Sequence, residues 1–255
     1  MTRWQLEGNA AEAYERHLVP ALFAPFAERL IERAQPQAGD RVLDVACGTG
    51  IVARLATTRG ASAAGLDLNA SMIEVARATA PSLEWITGDA TELPFPDGSF
   101  DLVLCQAGLQ FFPDRTAAVA EMRRVLAPQG GLAILVWRAI EHQPAWLKLA
   151  EALDRHAGPE AGALMRAPFT FSDAAELKQL VGGSVRIVIE TVSFPSARDM
   201  LACQAAASPL AGPIQALSDE AREALAADFE ASMRPHADDA GVAFPQEAHI
   251  VTATR

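Results

Sequence analysis

Short apolar runs alternate with helical patterns between residues 38 and 140. The runs lie near residues 41–46, 62–66, 83–86, 101–105 and 131–137. Helical patterns lie among them, near residues 50–58, 70–79 and 115–126. Since strands that alternate with helices form parallel sheets with right-handed crossovers, the pattern predicts an α/β domain. Ligands of such sheets bind at the carboxyl ends of the strands, where the strand order reverses.

Helical patterns dominate outside this region. Residues 9–34 are interrupted by Pro20 and Pro25, which predicts two helices with a bend. A helix capped by Ser172 and strands near 185–192 and 249–254 are expected towards the C-terminus. We interpret residues 1–255 as a single domain, and we expect its helical pieces to form a lid over the site. The three pieces of this lid are residues 1–34, 141–168 and 197–240.

A glycine turn follows the first predicted strand. In Arg41–Gly50, the glycines Gly48 and Gly50 allow a tight turn and close approach of a ligand to the backbone. The helix that follows would present its N-terminal amides to that ligand. Two glycines alone also suit a turn that binds nothing. Read with Ala53, they match the dinucleotide fingerprint as well, so an NAD(P)-dependent oxidoreductase is an alternative.

Three acids distinguish the turn from a dinucleotide site. Asp44 lies in the first strand, Asp67 closes the second, and Asp89 follows the third. Three successive strands thus deliver a carboxylate to the same edge of the sheet, whereas a dinucleotide site needs only the second of these acids. The alternative for Asp67 and Asp89 is a solvated turn acid or a helix N-cap.

Four segments resemble the class I S-adenosylmethionine (SAM)-dependent methyltransferases, in particular the ubiquinone and menaquinone biosynthesis type. They are VLDVACGTG (42–50), GLDLNASMIEVAR (65–77), GDATELPFPDGSFDLVLCQAGLQFFPD (88–114) and MRRVLAPQGGLAILVW (122–137). The resemblance is strong over residues 38–140 and weak elsewhere. It implies a Rossmann-like, seven-stranded sheet of order 3-2-1-4-5-7-6 with an antiparallel last strand and helical cap insertions. It also implies SAM as cofactor and methyl transfer as activity.

The resemblance assigns residues to the methionine portion of SAM. Asp44 would order the glycine loop and the ligand's amino group, Gln106 would face the methionine end, and Tyr14 would close over the ligand. For Tyr14 a half-buried helix aromatic is the alternative. The loop residues along the methionine portion would be Ala46, Cys47, Gly48, Thr49 and Gly50.

The adenosine portion is assigned in the same way. Asp67 would accept both ribose hydroxyls, since one carboxylate offers two acceptor oxygens. Leu68 and Met72 would flank the adenine. Asp89 and the backbone of Ala90 would bind the exocyclic amine and a ring nitrogen of the adenine.

Residues after the fifth strand are candidates for the methyl acceptor. His142 has the chemistry of a general base for an acceptor hydroxyl, because an unperturbed histidine pKa is about 6.5. A surface-loop histidine is the alternative. Trp137 and Arg138 would line the acceptor pocket, with a core position as the alternative for Trp137. Phe111-Phe112 would form an apolar floor between the fourth strand and its helix rather than a platform for the substrate. An apolar lid then suggests a hydrophobic or aromatic metabolite; its members are Leu147, Leu149, Leu153, Leu164, Met165, Phe169 and Phe171.

Composition narrows the substrate class. The formal net charge of −11 and the scattered basic residues argue against a nucleic-acid substrate and favour a small molecule. The cysteines have no metal-ligand spacing, and no metal is expected. We expect a cytoplasmic protein without membrane insertion, because neither a signal peptide nor a membrane-spanning run is evident.

Some properties stay open at this stage. Methylation at O, N or C would use the same cofactor site, and the acceptor itself has no readable motif. A non-catalytic SAM-binding protein is a second alternative. The oligomeric state, monomer or homodimer, is also open.

Overall fold

The computed structural model describes residues 9–255. The first eight residues of the predicted lid piece 1–34 lie outside the described residues. Eight strands form one sheet: β1 (Arg41–Val45), β2 (Ser62–Asp67), β3 (Glu84–Thr87), β4 (Phe100–Gln106), β5 (Leu126–Trp137), β6 (Ser184–Phe194), β7 (Ala237–Asp238) and β8 (Gly241–Thr254).

The sheet has the order β3-β2-β1-β4-β5-β8-β6. Strands β1 to β5 are parallel, and β8 lies antiparallel between β5 and β6. This confirms the predicted α/β fold class and strand order, with β8 as the predicted seventh strand. The two-residue strand β7 was not predicted; it pairs only with the start of β8.

Strand β8 is longer than the pattern near residues 249–254 indicates. It pairs with β6 from Ser184 opposite Thr252 to Phe194 opposite Val242. Pro245 within this stretch removes a backbone donor and therefore weakens the strand signal in the sequence. Pairing with β6 nevertheless holds the whole segment extended.

Side chains alternate between the two faces of the sheet. Val42 and Leu104 pack in the larger core, which includes the cap helices. Leu43, Val45 and Val103 point to the second core on the opposite face. Because both faces are covered, these strands are almost continuously apolar, as the sequence indicates.

Eleven α-helices occur within residues 9–255. They are α1 (Ala10–Ala13), α2 (Ala24–Ala34), α3 (Ile51–Thr58), α4 (Ala70–Thr79), α5 (Arg115–Arg124), α6 (Pro144–His156), α7 (Pro159–Arg166), α8 (Ala174–Val181), α9 (Ala197–Ala207), α10 (Ala211–Gln215) and α11 (Asp219–Met233). The predicted cap of α8 is corrected from Ser172 to Asp173. The Asp173 carboxylate accepts hydrogen bonds from the backbone amides of Ala175 and Glu176.

The N-terminal segment differs from the predicted pair of bent helices. Between α1 and α2, residues Tyr14–Phe23 continue the helix as a π-helix, and the Ala24 amide donates to the Val19 carbonyl oxygen five residues earlier. Pro20 lies inside this π-helix. Stretches of π-helix occur frequently at functional sites.

The cap helices contact one another across long sequence separations. Helices α1 and the π-helix contact α9, and α6 contacts α11. The predicted lid pieces therefore touch, whereas their movement as a lid and the single-domain interpretation stay predictions. No helix within residues 9–255 combines the length and the apolar character needed to cross a membrane.

Candidate functional site

The glycine loop joins β1 to α3. The Cys47 amide donates to the Leu66 carbonyl oxygen at 3.0 Å, and the Gly50 amide donates to the Cys47 carbonyl oxygen at 2.8 Å. Gly50 has φ of 88° and precedes the first turn of α3. A Cβ at Gly50 would lie 2.1 Å from Cη2 of Trp85, so glycine is required by space as well as by backbone conformation.

Asp67 ends β2 and contacts this loop. Its Oδ2 accepts the Gly48 amide at 2.8 Å, and its Oδ1 accepts the Asn69 amide at 2.8 Å. Burial raises the pKa of the carboxyl, although both amides act in the opposite direction. Each carboxylate oxygen can accept more than one hydrogen bond. Asp67 can therefore hold the loop and still accept from a ligand in the cavity that it lines.

Asp44 lies beneath the loop. Its Oδ2 accepts the Ala53 amide at 3.1 Å, and its buried Oδ1 has no hydrogen-bond partner among the described residues. Burial raises its pKa to about 8; the Ala53 amide opposes this rise, and the charge of Asp67 adds to it. Asp44 does not line the cavity. The structure thus places it where it orders α3 against β1.

Asp89 lies just beyond β3. Its Oδ1 accepts the Thr91 amide at 2.9 Å and the Thr91 hydroxyl at 2.7 Å. Asp89, Ala90 and Thr91 all line the same cavity as Asp67. The carboxyl ends of β2 and β3 therefore present two acids to one space, as the strand order requires.

Gln106 and Tyr14 connect the N-terminal segment with the carboxyl edge of the sheet. Gln106 Nε2 donates to the Phe23 carbonyl oxygen at 2.9 Å, and its buried Oε1 has no hydrogen-bond partner among the described residues. A Cβ on Gly48 would lie 3.7 Å from the Tyr14 ring. Burial, and then the charges of Asp67 and Glu15, raise the pKa of Tyr14, so its phenol is neutral.

One cavity of about 250 Å³ connects these groups with the cap. Ten predicted site residues line it: Tyr14, Ala46, Gly48, Asp67, Leu68, Met72, Asp89, Ala90, Gln106 and Trp137. Six others do not: Asp44, Cys47, Thr49, Gly50, Arg138 and His142. The structure thus brings together the adenosine set and part of the methionine set. It separates them from two of the three residues proposed for acceptor chemistry.

Arg138 and His142 lie beyond β5 and outside the cavity lining. Arg138 forms a salt bridge with Glu247, and its Nη2 lies 3.0 Å from Nε2 of His142. His142 is exposed. The base role for His142 and the pocket role for Arg138 stay predictions that this geometry does not support, because their partners hold them at the surface.

Several cavity residues were missed by the sequence analysis. Phe111 and Phe112 line the cavity and do not merely form a floor. The cap contributes Trp146, Gln204 and Ser208 besides the predicted apolar residues Met165 and Phe169, and strand β8 contributes Gln246. The sequence holds no local signal for this set. Gln204 lies in α9 and Ser208 immediately follows that helix with an extended backbone, whereas Trp146 and Gln246 lie on other elements.

The residues at the β1 to β4 end of the cavity fit a nucleoside that bears an amino-acid tail. Asp67 offers acceptor capacity for ribose hydroxyls, and the unpartnered Gln106 Oε1 offers an acceptor to a ligand amine. Gly48 leaves room beneath the Tyr14 ring. Strand order, glycine loop and acids together define the class I methyltransferase fold.

Comparison with known proteins agrees with this class. Residues 43–134 match the family model of a methyltransferase domain. A demethylmenaquinone methyltransferase from Renibacterium salmoninarum is 42% identical over 38% of this chain and 40% of the relative. A malonyl-[acyl-carrier protein] O-methyltransferase from Serratia marcescens is 34% identical over 48% of this chain and 47% of the relative. The chain thus spans less than half the length of these two relatives.

The fold extends beyond the matched segment. The solved structure of a candidate methyltransferase from Bacillus halodurans C-125 superposes with a TM-score of 0.59 at 22% identity, covering 89% of this chain and 97% of that one. The resemblance of this chain to class I SAM-dependent methyltransferases of the quinone-biosynthesis type is confirmed by the domain match and the relatives.

Proposed function

We propose that this protein transfers a methyl group from SAM to a small apolar or aromatic metabolite. The observation that carries the proposal is the position of Asp67. Its carboxylate is held by the Gly48 and Asn69 amides at the end of β2 and faces the cavity. The demethylmenaquinone methyltransferases among the relatives add support for a ring-bearing acceptor.

The protein's own residues would bind and orient the reactants. Asp67 and Asp89 would hold the nucleoside, Gln106 Oε1 would accept from the amine, and Tyr14 would cover the glycine loop. When bound, SAM supplies an electrophilic methyl group on a sulfonium. The acceptor atom would form the new bond to carbon as the carbon–sulfur bond breaks and its electron pair stays on sulfur. An acceptor that carries a proton would lose it to bulk water as the methylated product leaves the cavity.

Alignment and exclusion of water would provide most of the rate enhancement. Holding two reactants in a reactive geometry can supply about 7 to 11 kcal/mol of the barrier. The apolar side chains of Trp137, Met165 and Phe169 line the cavity and would keep bulk water from the reacting groups. This mechanism needs no general base from the protein when the acceptor is already nucleophilic.

Calorimetric titration with SAM, S-adenosylhomocysteine and NADH tests the cofactor. Both sulfur compounds should bind, and Asp67→Ala should weaken their binding by roughly 10- to 150-fold, because charge-assisted hydrogen bonds contribute about 1.5 to 3 kcal/mol. Asp101→Ala is the control, since Asp101 lies at the opposite end of β4 and pairs with Arg41. Tight NADH binding without a response to SAM would instead identify an oxidoreductase.

Transfer itself is tested with methyl-labelled SAM and cell extract. Label should appear in a small extractable molecule in the presence of the protein and be lost with Asp67→Ala. SAM binding without transfer to any extract component would overturn the catalytic assignment and indicate a non-catalytic SAM-binding protein.

A further inference from the structure

The cavity runs along the carboxyl edge of the sheet and changes character from one end to the other. Asp89 lies just beyond β3, and Asp67 and Gln106 end β2 and β4. Trp137 ends β5, and Gln246 lies on β8. Neighbouring strands are about 4.8 Å apart, so Gln246 is four strand spacings, roughly 19 Å, from the β2 end. The far end is therefore distinct from the acid-lined end that fits the cofactor.

Two buried glutamine amides, Gln246 and Gln204, line this cavity. Gln246 Oε1 accepts a hydrogen bond from the Trp146 indole Nε1. Because an indole N–H can only donate, this contact fixes the amide oxygen towards Trp146 and leaves Nε2 as the remaining donor. Gln246 is only 1% exposed, and its Nε2 donates to no residue within 9–255.

Gln204 provides the second amide from α9. It is 4% exposed, and its side chain makes no hydrogen bond to the rest of the described chain. The neighbouring Ser208 hydroxyl is already engaged: it donates to the Gln204 carbonyl oxygen at 2.7 Å and accepts the Leu210 amide at 3.2 Å. Besides Gln106, Gln204 and Gln246 thus offer unused hydrogen-bonding capacity among the described residues that line the cavity.

The described residues that line the cavity include no cationic side chain that could balance an anionic acceptor. Of the described residues that line it, only Tyr14, Asp67 and Asp89 are ionisable, and all three belong to the cofactor end. A buried anion without a cation beside it is strongly disfavoured, and so is a buried amide without a partner. An uncharged oxygen on an apolar ring would give the amide a hydrogen-bond partner without burying an unbalanced anion.

We propose that Gln246 and Gln204 form the recognition point for an uncharged carbonyl or hydroxyl oxygen on a ring-bearing acceptor. Gln246 Nε2 donates to that oxygen, Trp146 orients Gln246, and the side chains of Met165, Phe169 and Trp137 contact the ring. The inference rests on the proposed function for the identity of the reaction. The arrangement of the amides does not depend on it.

Binding of three matched probes tests the recognition point: 1-tetralone, tetralin, which lacks the carbonyl oxygen, and 1,2,3,4-tetrahydro-1-naphthoate, which is charged. The wild-type protein should bind tetralone about tenfold more tightly than tetralin, since a neutral hydrogen bond is gained and a buried amide is satisfied. The carboxylate should bind at least tenfold more weakly than tetralone. A tetralone-to-tetralin ratio near one in the wild-type protein would overturn the inference.

Variants test whether the two amides cause the tetralone-to-tetralin affinity ratio. Gln246→Leu should bring the ratio to about one, and Gln246→Glu should do the same while keeping an acceptor for Trp146. Gln204→Leu should reduce it. Gln110→Leu is the matched control, because Gln110 is also buried and unpartnered but lies outside the cavity lining. Circular dichroism verifies the fold of each variant. A ratio retained in the folded variants, or lost equally in Gln110→Leu, contradicts the inference.

Titration with S-adenosylhomocysteine separates this inference from the proposed function. If the nucleoside fails to bind the wild-type protein while the tetralone preference persists, only the proposed function fails. If the nucleoside binds every variant normally and the wild-type protein shows no tetralone preference, only the recognition point fails.

Discussion

Replacing Asp44 by asparagine is expected to make the stability of the protein depend less on pH. Asp44 is 1% exposed, and one of its oxygens has no hydrogen-bond partner among the described residues. Asparagine keeps an oxygen for the Ala53 amide but cannot ionise. The variant therefore isolates the pH dependence that the buried carboxyl beneath the glycine loop gives to the stability.

The magnitude follows from the shift in pKa. Burial raises the Asp44 pKa from 3.8 to about 8. Between these values the folded protein binds the proton and the unfolded chain does not. The stabilisation from this group is therefore complete below the unfolded pKa and is lost as pH rises through the folded pKa. The slope is about 1.4 kcal/mol per pH unit, so roughly 3 kcal/mol separates pH 5 from pH 7.

Urea unfolding of the wild-type protein and Asp44→Asn measures this difference. The free energy of unfolding of the variant, relative to the wild type, should rise by about 3 kcal/mol from pH 5 to pH 7. Asp101→Asn is the control. Arg41 lowers the pKa of that carboxyl, so Asp101 is ionised in both states throughout this range. A difference between wild type and Asp44→Asn that does not change with pH would refute the reasoning.

Two further predictions concern the glycine loop and the segment above it. Gly50→Ala should destabilise the protein by about 1 to 3 kcal/mol more than Gly39→Ala in thermal unfolding. Both glycines have positive φ, but only a Cβ at Gly50 meets Trp85. Equal losses of stability in the two variants would contradict the steric argument. Arg54 donates to the Thr49 carbonyl oxygen at 2.6 Å and to Glu15 at 2.8 Å. Arg54→Met should speed amide hydrogen exchange in Tyr14–Phe23 by about tenfold, whereas Arg41→Met should leave it unchanged. Unchanged exchange in Arg54→Met would show that the hydrogen bond between Arg54 and Glu15 does not hold the segment.

Local sequence predicted the parts of the fold that rest on local chemistry. The apolar run of β1, the glycine loop and the acids Asp67 and Asp89 follow from residue types that strands, turns and a carboxyl edge require. The π-helix at Tyr14–Phe23 could not be predicted from the local sequence, because Pro20 signals only a break in a helix. The length of β8 could not be predicted from the local sequence either, since its extended form depends on pairing with β6.

The residues at the acceptor end of the cavity also could not be predicted from the local sequence. His142 and Arg138 were placed in the site from their position after β5, yet Arg138 is held by Glu247 and contacts His142 at the surface. Gln204 and Gln246, which no motif marks, lie at the cavity instead.

The sequence by itself determined the alternation of strands and helices, the glycine loop and the acid-lined end of the cavity. These features depend on short segments whose residues act together within one βα unit. The tertiary structure alone decided which distant side chains complete the cavity. Gln204 and Gln246 line it together because α9 packs on the N-terminal segment and β8 inserts beside β5. Such long-range packing is set by the whole core and leaves no local pattern.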